Sequence, residues 1–124
     1  MNLVDSSGWL EYFIDGKNAE VFAKPLHEFD RLIVPTICIY EVFKVVLRER
    51  GEEEALQAVA LMKKGQTVTL TEDIALQAAK LSHERQLHMA DSIILATARV
   101  HGATVWTQDK DLDSFPDVKY FPKH

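Results

Sequence analysis

Apolar residues fall along this chain in two alternating rhythms. Short, almost unbroken apolar runs at 2–4, 32–34, 67–70, 104–106 and 118–120 have the length and β-branched content of strands. Between them, apolar residues recur every three or four positions, the spacing of a helix face. Strands alternating with helices predict an α/β fold. Strands apolar on both faces predict a mainly parallel central sheet flanked by helices.

The helices have readable ends. Ser6 or Ser7 is expected to cap a helix running through Tyr12, with Gly16 as its stop. Residues 19–29 read as a second helix on the spacing of Val21, Phe22, Leu26 and Phe29, interrupted by the missing backbone donor of Pro25. Thr36 is expected to cap a helix to Arg50 ended by Gly51, and residues 52–64 form another closed by Gly65. Thr71 is placed to cap 72–86, with Glu72 and Asp73 set well against the helix dipole. Residues 90–101, small and branched, predict a central helix closed by Gly102. No repeat, low-complexity stretch or linker interrupts the pattern. At 124 residues the expectation is one domain, 1–124, burying roughly two thirds of its chain surface.

Four acids interrupt this apolar scheme. Asp5 ends Leu3-Val4, and Glu41 sits between Ile37-Cys38-Ile39-Tyr40 and Val42-Phe43. Asp91 opens Ser92-Ile93-Ile94-Leu95-Ala96, and Asp109 follows Ala103-Thr104-Val105-Trp106-Thr107. A carboxylate taken out of water costs several kcal/mol unless it is paired or binds a cation. Too few basic residues lie in these neighbourhoods to pair all four, so a shared divalent metal is the economical explanation. Taken singly, Asp5 reads equally as a turn residue and Asp91 as a helix cap. Asp109, Asp111 and Asp113 lie in a turn-like segment where exposed aspartates are common. Glu41 is harder to explain away. Lys44, three residues on, is its one partner on the helix face, and such a pair stabilises by only about 0.2–0.5 kcal/mol.

Charge and composition narrow the chemistry. With 47% hydrophobic and 27% charged residues, the chain is an ordinary globular one. Its net charge of −5 excludes a broad basic surface for nucleic acid. A polyanionic substrate would need a metal or a local basic cluster, for which Lys44, Arg48, Arg50, Lys63 and Lys64 are candidates if they are not merely solvated helix face. One cysteine, Cys38, leaves no internal disulfide and reads as a small buried hydrophobe. The five histidines (27, 83, 88, 101 and 124) form no zinc-like spacing. There is no phosphate-binding glycine loop and no nucleophile elbow. No stretch is long enough for a membrane helix, and nothing at the N-terminus resembles a signal peptide, so a cytoplasmic protein is expected.

Four motifs, in order, carry a resemblance. Val4-Asp5-Ser6-Ser7-Gly8-Trp9-Leu10, Pro35-Thr36-Ile37-Cys38-Ile39-Tyr40-Glu41-Val42, Ala90-Asp91-Ser92-Ile93-Ile94-Leu95-Ala96-Thr97-Ala98 and Thr107-Gln108-Asp109-Lys110-Asp111-Leu112 resemble PIN-domain ribonucleases. Their order, spacing and the chain length look most like the VapC toxins of toxin–antitoxin pairs, and the resemblance covers the whole chain. It implies a three-layer α/β/α domain and a Mg²⁺- or Mn²⁺-dependent endoribonuclease acting on RNA. The implied site is Asp5, Glu41, Asp91 and Asp109, with Asp111 as the alternative fourth acid. It further implies a homodimer and a VapB-like antitoxin partner whose C-terminal segment covers the site. Ser6 and Thr107 are expected to support the carboxylates through hydroxyl hydrogen bonds, and Trp9, Phe13 and Phe22 are expected to contribute to a dimer interface. Gln108 departs from the pattern: an Arg is often found there, so one substrate-binding cation is missing. Two rivals stand beside this reading. One is a non-catalytic PIN-fold protein-binding module, against which the complete acid set speaks. The other is a haloacid-dehalogenase-like phosphatase, which wants Asp-x-Asp where this chain has Asp5-Ser6-Ser7.

Overall fold

A computed structural model describes residues 1–124. Five parallel strands form one sheet: β1 (Asn2–Val4), β2 (Leu32–Pro35), β3 (Gln66–Val68), β4 (Thr104–Thr107) and β5 (Val118–Tyr120). Their spatial order is β3-β2-β1-β4-β5, every neighbouring pair parallel. Six helices flank the sheet in the α/β/α arrangement expected. These are α1 (Ser6–Phe13), α2 (Ala19–Leu26), α3 (Thr36–Arg50), α4 (Glu52–Met62), α5 (Glu72–Arg85) and α6 (Met89–Val100). The apolar runs become the core: Leu3, Val4, Leu32, Ile33, Val34 and Val105 are fully buried, as strands covered on both faces require.

The order of strands matters more than their number. From β1 the chain steps outward to β2 and β3, then returns to lay β4 on the other side of β1. Strand order therefore reverses between β1 and β4, where loops leaving two adjacent strand ends diverge and open a crevice. Asp5 follows β1, and Asp109 lies two residues beyond β4. Both acids are delivered to that crevice by topology.

Several helix boundaries differ from expectation, each for a local reason. Asp5 caps α1 instead of Ser6 or Ser7, its carboxylate accepting from the Gly8 amide. Thr36 is already helical and Pro35 is the capping residue of α3, because Pro35 fixes an extended φ of −64° that ends β2 and turns the chain. His88, with no side-chain cap bond, precedes α6, so Asp91 lies inside its first turn. The second helix stops at Leu26, and residues Phe29–Arg31 form a short 3-10 turn. β3 is Gln66–Val68, not 67–70, its register being set by the pairing of Ile33 with Gln66 and Pro35 with Val68. Trp9 and Phe22 are fully buried core residues and cannot contribute to a dimer interface. Phe13, stacked on Trp9, keeps partial exposure.

Gly8 shows how tightly α1 is set against the sheet. A Cβ there would lie 2.5 Å from Val4 Cγ1 and 2.8 Å from the Phe22 ring, both far inside contact distance and both belonging to stiff, buried side chains. Only glycine lets the first turn of α1 approach closely enough to donate its amide to Asp5. Gly8→Ala is expected to cost about 1–3 kcal/mol through overpacking. Calorimetry should show Tm falling by roughly 4 °C per kcal/mol for a chain of this size, and an unchanged Tm would refute this packing account.

Candidate active site

Asp5 is the deepest acid, only 3% exposed. Its burial follows from its place at the C-terminal end of a central strand, and three donors accompany it. Ser7 Oγ donates to Oδ1 at 2.7 Å, the Gly8 amide donates to the same oxygen at 3.0 Å, and Thr107 Oγ1 donates to Oδ2. Thr107 also accepts the Asp109 amide at 2.8 Å. One hydroxyl thus sets both the carboxylate after β1 and the backbone that carries the acid after β4. The Gln108 amide in turn donates to Ser7 Oγ at 3.0 Å, closing a ring of bonds between α1 and the β4 loop.

Asp91 reaches the same place from the first turn of α6, half-buried. Single carboxylate oxygens of Asp91, Asp109 and Asp111 lie within 4.8 Å of one another. Asp109 and Asp111 both lie beside Asp91: Asp109 caps the 3-10 turn Lys110–Leu112 by accepting the Asp111 amide at 2.9 Å, and that turn folds Asp111 back into the group. Glu41, in the second turn of α3, stands outside this trio. It accepts a hydrogen bond from Ser6 Oγ, whose neighbour is Asp5. Beneath them Cys38 is fully buried beside Ser6, and burial together with the negative charges of Asp5 and Glu41 pushes its thiol well above the usual range.

The carboxyl groups carry the mark of this crowding. Burial raises Asp5 from 3.8 to about 6, against the lowering effect of the Thr107, Ser7 and Gly8 bonds, with Asp109 adding repulsion. Asp91 rises from 3.8 to about 7, first through burial, then through the charge of Asp109, a hydrogen bond shared with Asp109, and the charges of Asp5 and Asp111. The α6 N-terminus pulls the other way, but a dipole contributes only about 0.3–1 kcal/mol, too little to offset burial and three like charges. No basic side chain answers them. The three ion pairs of the chain are Arg48–Glu49, Arg50–Glu54 and Arg99–Asp117, none at the site. The residues fit a divalent cation: the donors are all hard oxygens, and opposite ligands around Mg²⁺ stand ~4 Å apart, comparable to the spread of the trio.

Two members of the site escaped the sequence. Ser7 is the direct partner of Asp5, whereas Ser6 supports Glu41. Asn18 is buried and donates to Gln108 Oε1 at 2.8 Å and to the Pro122 carbonyl at 2.9 Å, so Gln108 is a tied-down floor residue. In the sequence Asn18 is only an Asn following Gly16-Lys17, a pattern common in turns.

The chain belongs to the PIN domain family, whose model matches residues 3–118. Among solved structures, toxins of toxin–antitoxin pairs share its fold. A chain of a toxin–antitoxin complex from Klebsiella pneumoniae superposes with a TM-score of 0.83 at 22% identity, covering 98% of this chain and 99% of that one. The sarcin–ricin-loop-cleaving toxin VapC20 of Mycobacterium tuberculosis gives 0.74 at 17% identity, covering 95% and 98%. VapBC2 of Rickettsia felis, bound to a promoter DNA fragment, gives 0.76 at 12% identity, covering 97% and 98%. At these identities the likeness is one of fold. No curated protein matches the chain in sequence. No helix is long and apolar enough to cross a membrane.

The raised Asp5 carboxyl has a consequence for stability. The native state holds this proton to higher pH than the unfolded state, so it binds more protons between pH 3.8 and about 6, and stability falls as pH rises through that window. In EDTA, the stability of the wild type relative to Asp5→Asn should therefore fall by up to about 3 kcal/mol across it. Above about pH 7, where Asp91 has also ionised, Mg²⁺ should restore the loss. Urea unfolding over a pH series tests this, and a difference independent of pH would contradict it.

Proposed function

We propose that this protein is a Mg²⁺- or Mn²⁺-dependent endoribonuclease and the toxin of a VapBC-type toxin–antitoxin pair. The observation that carries the proposal is the cluster of Asp91, Asp109 and Asp111, their carboxylate oxygens within 4.8 Å of one another and none in an ion pair, with buried Asp5 close enough to feel the Asp109 charge and Glu41 held by Ser6 beside it. Membership of the PIN family supports the nuclease reading, and solved toxin–antitoxin relatives of the same fold support the toxin reading.

Asp5 and Asp91 are assigned as principal metal ligands, with Asp109, Asp111 and Glu41 binding directly or through water. A bound divalent cation supplies a water of lowered pKa and positive charge against the scissile phosphate. The protein's contribution is placement. Ser7, Gly8 and Thr107 hold Asp5 in one orientation, so its oxygens are preorganised. Asp91, raised to about 7 by burial and by the neighbouring Asp109 charge, must ionise before it can ligate, which ties occupancy to pH. Glu41, fixed by Ser6, would accept the proton of a water it shares with the metal as that water's oxygen joins phosphorus, the P–O bond to the ribose breaks and the departing oxygen takes a proton from solvent.

Cleavage of an RNA panel by purified protein, with Mn²⁺, Mg²⁺ or EDTA, tests the assignment. Asp5→Asn and Asp91→Asn should each abolish metal-dependent cleavage while preserving the fold. Thr107→Val, which removes only a supporting hydroxyl, should cost about 10–100-fold. Full activity in either Asn variant would sink the site.

The antitoxin partner has a physical counterpart in the same acids, which make a receptor for an Arg or Lys side chain in place of the metal. Such a complex should weaken with salt and with Asp5→Asn in titration calorimetry. Salt-independent affinity would instead mark an apolar contact.

A further inference from the structure

Four of the five cations nominated from sequence to neutralise a polyanion do other work. Arg48 and Arg50 pair with Glu49 and Glu54, Lys44 lies over the Tyr40 ring, and Lys64 lies over Phe29. A different set of cations borders the acids. Beside Asp109 a hollow of about 480 Å³ is lined by Ser7, Gln108, Lys110, Tyr120 and Lys123. A second hollow of about 580 Å³ shares Ser7, Gln108 and Lys123 with the first and adds Lys17. The shared residues make the two hollows one trough, running from Asp109 along α1. Each part is within the ~300–1,000 Å³ typical of ligand sites.

The trough has a built floor. Gln108 is 6% exposed and fixed by Asn18, and Asn18 also holds the Pro122 carbonyl. The Phe121 amide donates to the Thr107 carbonyl at 2.9 Å, and the Phe121 ring stacks on Trp106. The segment bearing Lys123 is thereby tethered beside the site. Lys17, Lys110 and Lys123 are exposed and engage neither an acid nor an aromatic ring. Glu11, an acid of this wall, is engaged within the chain, its Oε2 accepting the Asn18 backbone N–H at 2.9 Å. Tyr120 is half-buried, and its ring stacks on no other. Past Leu10, Ile14 and Val45 the lining becomes mostly apolar, and its one cation, Arg50, is paired with Glu54.

We propose that this trough is the track for single-stranded RNA, with Lys110, Lys123 and Lys17 on successive phosphates and Tyr120 against a base. A neutral floor with cations on the rim suits a backbone held by charge and bases held by stacking. The cation that the family resemblance would place at position 108 is supplied here from the 3-10 turn and the C-terminal segment. The track rests on the nuclease reading above, and the experiment separates the two.

Binding of a labelled, unstructured RNA of roughly a dozen nucleotides would be followed by anisotropy across a salt series. Mg²⁺ is present, and the Asp5→Asn background prevents cutting. Replacing Lys17, Lys110 and Lys123 together by Ala should weaken binding at least tenfold and flatten the log affinity–log salt slope by about 2, three single-strand phosphate contacts at about 0.7 each. Tyr120→Ala should weaken binding roughly 5–150-fold with the slope unchanged. The control Lys63→Ala/Lys64→Ala should keep the original slope. RNA bound with an unchanged slope by the triple variant, or an equal flattening in the control, overturns the track while wild-type cleavage still upholds the nuclease. Absence of both RNA binding and wild-type cleavage overturns the two together.

Discussion

A carboxylate at the end of a central strand, left with 3% of its exposure, has to find donors within reach of that strand end or remain protonated. Asp5 recruits them from both sides: Ser7 and Gly8 from the first turn of α1, Thr107 from the last residue of β4. The requirement then spreads. Gly8 must lack a side chain for its amide to arrive, and Thr107 must face inward, where it also receives the Asp109 amide. Three donors do not offset the desolvation, and the carboxyl still stands near 6. The hydrogen bonds fix the position of this acid but do not neutralise its need for a positive charge. Structure and reactivity here come from one buried group.

Topology makes that group part of a cluster. Reversal of strand order between β1 and β4 brings two loop-borne acids to one crevice, and α6 adds Asp91 from a first turn pointed at it. The remaining charge of the molecule is disposed around this arrangement. Its net charge is −5, yet the wall of the trough beside Asp109 carries lysines. Overall charge describes how the protein meets polyanions at long range, and the local wall describes where one could settle.

Periodicity made most of the fold legible. The strand runs lie in the sheet and the helices occupy their expected segments, because burial on both faces leaves an unambiguous apolar signature. Boundaries were harder where capping depends on rotamers: Asp5, Ser6 and Ser7 are all good caps on paper, and only the position of Thr107, a hundred residues away, decides for Asp5. Asp5, Glu41, Asp91 and Asp109 stood out as acids in apolar surroundings. Asp111 did not, since its approach to Asp91 and Asp109 depends on one 3-10 turn. Ser7, Asn18 and the lysines of the trough were equally hidden. Their meaning lies in contacts between α1, the loop after it and the C-terminal segment, distant in sequence and without periodicity.

Cys38 gives the molecule a reporter of its own motion. The single thiol lies fully buried near the start of α3, under Ser6 and beside the charges of Asp5 and Glu41. A thiol held protonated and out of solvent reacts only during moments when its cover lifts. Its alkylation rate in the folded protein therefore clocks the local opening of α1 against α3, the pair of elements bearing Asp5 and Glu41. Whatever tightens the acid cluster should slow that clock, with no label or engineered probe introduced.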